Sequence, residues 1–274
     1  MTNRRLCILG AGNMGRALIG GLLRSGMRPE QLSAGESEAA TRAAVLQDFG
    51  VSATDDNRTA VAGASIVVLA VKPQDVAAVL QPLADVFAAN RPLLISVAAG
   101  VRVAALESWC GAGVPVMRAM PNRPARVGAG ATGVYAPPAV GQEQRAAAER
   151  VLQALGEVFW VEAEELLDVV TALSGSGPAY FFLLAELMAE AGTQLGLESA
   201  MAHRLAAATL YGSGLLARSG DGDLARLRRE VTSTGGTTEA ALRTLEAADL
   251  RATVRAALAA ATQRGRELAA MRAG

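Results

Sequence analysis

The sequence predicts a chain in two parts: an α/β part built on a doubly wound parallel sheet, then an all-α part. Three observations predict it. Strand-like and helix-like segments alternate as far as residue 160. ASIVVLAV is an unbroken apolar run, as expected of a strand covered on both faces. From about residue 165 onward no convincing strand appears, and Ala/Leu-rich helical segments run on to the end.

Taken in order, RLCILG reads as a buried strand and NMGRALIGGLLRSG as a helix ending at Gly26. QLSAGE is a short second strand, and SEAATRAAVLQDFG is a helix stopped by Gly50. ASIVVLAV is the next strand, PQDVAAVLQPLADVF a helix and PLLISVAAG another strand. PVMRAMP and TGVYAP read as later strands, and QEQRAAAERVLQALG as a helix. After WVEAEELLDVVTAL the pattern changes. PAYFFLLAELMAEAGTQLG, ESAMAHRLAAATLYGSGLLARSG, DLARLRREV and TEAALRTLEAADLRATVRAALAAATQRGRELAAM all read as helix. The expected domains are therefore 1–164 and 165–274. The last segment is long and Ala-rich, and its small side chains suit close contact with helices of a second subunit.

Composition narrows the function. The 274 residues are 51% hydrophobic but only 4% aromatic, so a sizeable core must be built from Ala, Val and Leu. A formal net charge of zero argues against a nucleic-acid binder. Two cysteines, Cys7 and Cys110, are too few for a disulfide framework, and both read as inert. With His203 as the only histidine, no metal site is expected. The opening MTNRRLCILGAGNMG mimics a secretory signal, but three glycines, Asn13 and Arg16 interrupt its apolar run. No uninterrupted stretch of about 20 apolar residues is present. The expectation is a soluble, cytoplasmic protein with no membrane partner.

GAGNMG follows the first strand and opens the first helix, the context a dinucleotide-binding fingerprint requires. Gly10 permits the tight turn, Gly12 lets a pyrophosphate approach the backbone, and Gly15 lets helix and strand pack closely. The amides of Asn13 and Met14 would face the phosphates at the positive helix end. Glu36 stands at the end of the second strand, where an acid bonds a ribose 2′-hydroxyl and repels a 2′-phosphate. It reads equally as part of a helix start. AVKP (Ala70, Val71, Lys72, Pro73) ends another strand, where ligands bind in open α/β sheets. SVAAG ends the next in small residues, and Ala98 and Ala99 there suit a flat ring lying on backbone.

GAGNMG, AVKP, SVAAGV, RAMPN, ALSGSGPAYFF and TGGTTEAALRTLE, in this order and spacing, resemble the pyrroline-5-carboxylate reductase family over nearly the whole chain. The resemblance implies reduction of a cyclic imine to L-proline with NADPH or NADH, the last step of proline biosynthesis. It implies a Rossmann-type N-terminal domain and a helical domain that interlocks in a homodimer, with dimers assembling into a larger ring. It places Asn57 by the cofactor ribose, Asn122 of RAMPN among the cofactor contacts, and Glu164 near the substrate. Asn57 also reads as a turn or N-cap residue, and Glu164 as a surface acid.

The imino-acid substrate carries a carboxylate beside the imine. In TSTGGTTEA a helix restarts after two glycines, so free backbone N–H groups and the helix dipole could form an anion site. Ser233, Gly235, Gly236, Thr237 and Thr238 are the expected substrate contacts there, and the resemblance makes Thr238 the catalytic donor near the imine nitrogen. Ser174 and Ser176 of SGSGPAY are the further substrate residues. The chain departs from the family where Arg123 follows Asn122, where Thr234 replaces a proline, and where Arg229 and Glu230 precede the loop. A non-catalytic nucleotide-binding scaffold would need no anion nest at that place, and a reductase of a related cyclic imine stays open. A β-hydroxyacid dehydrogenase would carry a catalytic lysine on its helical domain, and no lysine occurs from 161 to 274.

Overall fold

The computed structural model describes residues 5–220 and 222–271. One eight-stranded sheet has the order β3-β2-β1-β4-β5-β6-β7-β8. β1 (Arg5–Leu9), β2 (Leu32–Gly35), β3 (Ser52–Thr54), β4 (Ala64–Leu69), β5 (Leu93–Ser96) and β6 (Val116–Met120) pair in parallel. β7 (Gly130–Tyr135) runs antiparallel to β6, and β8 (Gly156–Trp160) runs parallel to β7. The sheet is thus parallel-dominated, where the sequence pattern predicts a wholly parallel one. The reason is the short link: only a 3₁₀ turn, Arg123–Val127, lies between β6 and β7, too short for a parallel crossover.

Helices join and follow the strands: α1 (Asn13–Arg24), α2 (Ala39–Phe49), α3 (Asn57–Val61), α4 (Val76–Leu80), α5 (Ala84–Asn90), α6 (Val103–Cys110) and α7 (Gln142–Leu152). After β8 come α8 (Leu166–Val170), α9 (Gly177–Gln194), α10 (Ser199–Ser219), α11 (Leu224–Glu230), α12 (Thr237–Ala247) and α13 (Leu250–Ala270). Two segments expected as single helices are broken. Pro82, in the 3₁₀ turn Gln81–Leu83, separates α4 from α5. Asp249, at φ 53°, separates α12 from α13 and accepts a hydrogen bond from the Ala252 amide, as a capping residue does. β3, β8, α3 and α6 carry no strong period and were not expected. α2 ends at Gly50 in the left-handed conformation, as its sequence position suggests.

The unbroken apolar runs have a direct cause. Alternate residues of each inner strand enter different cores. Leu6 and Ile8 of β1 join Ile66 and Val68 of β4 on one face, while Cys7 and Leu9 join Val67 and Leu69 on the other. Burial pushes the Cys7 thiol up to about 12 and the Cys110 thiol up to about 11, so both are protonated hydrophobes at neutral pH.

The chain divides into two compact units. One runs through Gly175 and resumes at Ala261; the other is Ser176–Ala260. The break falls beyond the expected 164/165 boundary, because α8 packs with the sheet. Val170 of α8 lies against Gly133 of β7, where an added Cβ would come within 2.6 Å of it. In the second unit the only buried residues among those described are Gly177, Ala189, Ala202 and Ala206. Phe181, Phe182 and Tyr211 are 60%, 58% and 69% exposed. Leu166–Gln194 is long and apolar enough, by length and composition, to cross a membrane. It carries Asp168, Glu186 and Glu190, so it is not the uninterrupted apolar stretch of about 20 residues that the sequence lacks. The run contains few charges but is interrupted by a π-wound turn at Thr171–Gly175.

Gly21 tests the packing of α1. An alanine inside a helix normally stabilises by about 1 kcal/mol relative to glycine. Here the added Cβ would run into the backbone carbonyl of Ala154. Gly21→Ala should therefore destabilise by about 1–3 kcal/mol, read from urea unfolding.

Candidate active site

The strand order reverses at β1, with β2 on one side and β4 on the other. A crevice outside the carboxyl ends of strands opens at such a point. Gly10 leaves β1 at φ 93°, and a Cβ there would lie 2.8 Å from the Ala70 carbonyl carbon and the Val71 nitrogen. The end of β4 therefore packs on the turn itself. The Gly10 amide donates to the Gly35 carbonyl at 2.8 Å, and the Ala70 amide to the Leu9 carbonyl at 2.7 Å. A side chain at Gly15 would collide with the Gly10 carbonyl oxygen. Gly12 differs, because no atom lies within 4 Å of where its Cβ would be. It is the N-cap of α1, whose first turn holds no acid. Open space, bare backbone and the positive end of a helix fit a dinucleotide pyrophosphate, with Asn13 and Met14 supplying the first amides.

Next to this cradle, one Glu36 oxygen accepts from the Ala11 amide at 2.8 Å and the other from the Glu38 amide at 3.0 Å. Glu36 is thus held over the glycine turn, and α2 begins only at Ala39. Asn57 opens α3 after β3, and its Oδ1 sits where a Cβ on Gly35 would be. The N-cap of α3 is Asp56, whose carboxylate accepts from the Arg58 and Thr59 amides. Lys72 and Pro73 follow β4, with Lys72 exposed and starting a 3₁₀ turn. Ala98 follows β5; its amide donates to Ser96 Oγ at 3.3 Å, and Ala99 comes next. Gly10, Gly12, Asn13, Met14, Gly15, Glu36, Asn57, Ala70, Val71, Lys72, Pro73, Ala98 and Ala99 therefore all follow carboxyl ends of parallel strands in one unit.

Two further expected site residues, Asn122 and Glu164, hold protein contacts as well. Asn122 stands just beyond β6, but its side chain is taken up by the protein. Oδ1 accepts from the Ala131 amide at 2.9 Å, and Nδ2 donates to the carbonyl and the hydroxyl of Ser174, each at 3.2 Å. It tethers β7 to the π-wound turn and orients Ser174. Glu164 is likewise no free acid. Its Oε1 accepts from Arg118 at 2.7 Å and from the Val103 amide, at the start of α6, at 2.8 Å. Asp168, 3% exposed, pairs with Arg102 at 2.6 Å. Burial pushes the Arg118 guanidinium down from its ordinary pKa, and Glu164 beside it pushes back. These two pairs brace the turn after Ala98 and Ala99. Arg102, Arg118 and Asp168 were missed by the sequence reading. Their signal was a charge set inside an apolar run, VMRAM or LLDVV.

The TSTGGTTEA turn lies in the second unit and is also rearranged relative to expectation. The Gly235 amide donates to Glu239 Oε2 at 2.8 Å, and the Gly236 amide to the Ser233 carbonyl at 3.1 Å. Neither glycine amide is left for a ligand. Gly235 is required because φ is 74°, and Gly236 because a Cβ would strike Ser233 Oγ. Glu239, three residues past the N-cap Gly236, is in the position of a capping-box acid. The donors remaining at the start of α12 are the amides and hydroxyls of Thr237 and Thr238. Ser176 precedes α9, with Pro178 in its first turn.

Comparison with known proteins gives the family of the chain. Residues 164–268 match the family model described as pyrroline-5-carboxylate reductase dimerisation, and residues 5–100 match that of NADP oxidoreductase, coenzyme F420-dependent. The chain is similar to a pyrroline-5-carboxylate reductase of Pseudomonas aeruginosa, 45% identical over 98% of each chain. The solved pyrroline-5-carboxylate reductase of Coxiella burnetii superposes with a TM-score of 0.94 at 38% identity, covering 97% of this chain and 99% of that one. The pyrroline carboxylate reductase of Plasmodium falciparum, solved with NADP bound, gives 0.82 at 27% identity, covering 98% of this chain and 99% of that one.

Removing Glu164 would strand the Arg118 charge, whose side chain is only 5% exposed. Glu164→Ala should cost about 3–5 kcal/mol in urea unfolding. Glu164→Gln keeps an acceptor for the Val103 amide and should cost less.

Proposed function

The chain belongs to the pyrroline-5-carboxylate reductase family; it reduces L-1-pyrroline-5-carboxylate to L-proline with NAD(P)H, the last step of proline biosynthesis, and we propose which residues carry the reaction. The nicotinamide, when bound, supplies a hydride to the imine carbon. The observation that carries the assignment is the open cradle at Gly12, at the start of α1 on the carboxyl edge of the sheet.

Gly10, Gly12 and Gly15 shape the cradle, and the amides of Asn13 and Met14 hold the pyrophosphate. Glu36 and Asn57 serve the adenosine ribose. Ala70–Pro73 with Ala98 and Ala99 support the nicotinamide end. For the substrate, the Thr237 and Thr238 donors at the start of α12 take the anionic imino acid, with Ser233, Gly235 and Gly236 shaping the turn. Ser174 and Ser176 add hydroxyls, and Asn122 and Glu164 position rather than touch. The Thr238 hydroxyl orients the imine nitrogen. An imine that arrives protonated needs no strong protein acid, so the protein contributes chiefly by positioning.

The dimerisation domain gives copies of this chain a surface for association. Its exposed Phe181, Phe182 and Tyr211 fit burial against a second copy. We assign 1–164 to the cofactor and 165–274 to substrate and dimer, a division supported by the family match that begins at 164. Assembly of dimers into a ring, in the cytoplasm, completes the proposal. The apolar run nearest to an export signal serves as buried strand β1, which supports that location.

Oxidation of NADH or NADPH that depends on pyrroline-5-carboxylate tests the reading directly. Cofactor binding without such turnover would overturn it. Thr238→Ala should lower kcat/KM about tenfold or more with thermal stability retained, the loss expected of one hydrogen bond that acts in the transition state. An unchanged kcat/KM would remove Thr238 from the mechanism.

A further inference from the structure

Resting on the cofactor assignment above, we propose that Glu36 makes this reductase select NADH over NADPH. The ribose end of the cradle is built around a fixed carboxylate. Both Glu36 oxygens are held by backbone amides, Ala11 at 2.8 Å and Glu38 at 3.0 Å. The Glu36 amide is itself tied to the Thr54 carbonyl of β3 at 2.9 Å. The carboxylate therefore cannot swing away without breaking contacts on two sides. It stands at the end of β2, where a ribose 2′-hydroxyl can donate to it and a 2′-phosphate meets like charge.

A site that accepts the 2′-phosphate needs an available cation, and the arginines near the starts of α1, α2 and α3 (Arg16, Arg42 and Arg58) are each engaged. Arg42 donates to the Glu36 and Ser37 carbonyls at 2.9 and 2.7 Å and pairs with Asp55 at 3.2 Å. Its side chain is only 22% exposed. Arg16 pairs with Asp48 at 2.5 Å and lies over the Phe49 ring. Arg58 forms a two-pronged pair with Asp85, at 2.9 and 2.6 Å. Recruiting any of them breaks an existing contact, which weakens the offset to repulsion from Glu36.

The test uses the full chain. Steady-state kcat/KM for NADH and NADPH is measured with pyrroline-5-carboxylate saturating, and Kd for NAD+ and NADP+ by calorimetry without it. The expected result is a preference for NADH, and for NAD+, of about tenfold or more. Glu36→Gln should reduce that ratio, with NADPH gaining and NADH losing. Equal or better use of NADPH, or a ratio unmoved by Glu36→Gln, overturns the inference. If neither cofactor is oxidised with the imine, the catalytic reading falls. The NAD+ and NADP+ affinities then decide the cofactor inference alone.

Discussion

Parallel strand pairing is the constraint on which the rest of this structure depends. Strands that run the same way deliver all their carboxyl ends to one edge of the sheet. β1 to β6 obey it, and so the glycine turn, Glu36, Asn57, AVKP and the alanines after β5 arrive along a single edge from distant parts of the chain. The order reversal at β1 then opens the crevice at that edge. Parallel pairing also requires helices on both faces, which is why the inner strands are apolar at every position and feed two separate cores.

The edge alone would not hold the turn after β5. Two ion pairs do so, Arg118–Glu164 and Arg102–Asp168, linking β6 and the start of α6 to the segment leading into α8. Such pairs gain little net stability over apolar packing, because both charges must leave water. What they supply is direction. The carboxylate of Glu164 caps the first amide of α6 while it neutralises a buried arginine, and only one arrangement satisfies both. Asn122 acts similarly without charge, fixing Ser174 and the π-wound turn through three hydrogen bonds. π-wound turns recur at functional sites because the extra residue redirects the side chains that follow.

The second unit shows what a helical segment without a core of its own looks like. Alanines supply nearly all of its burial, and its large aromatic and aliphatic residues face outward. Helices of this kind draw stability from tertiary packing of an apolar face, not from propensity. The family's dimerisation model covers this region, which fits association between copies of the chain. The same fact explains why Leu166–Gln194 looks like a membrane helix on composition alone.

The sequence by itself determined the alternating α/β half, the helical half, the glycine turn and the family. Those are local signals: period, glycine placement and motif order survive without knowing any contact. It also determined that Gly235 and Gly236 have a special task, since glycine inside a helical context needs a reason. Only the tertiary structure decided what that task is: a left-handed turn and a close approach to Ser233, both amides being taken within the turn. The reversal of β7, the short β3 and the half-exposed β8 were illegible, because pairing partners rather than periodicity define them. The protein partners of Glu164 and Asn122 were illegible too, because they lie 46 and 52 positions away along the chain and only folding brings them together.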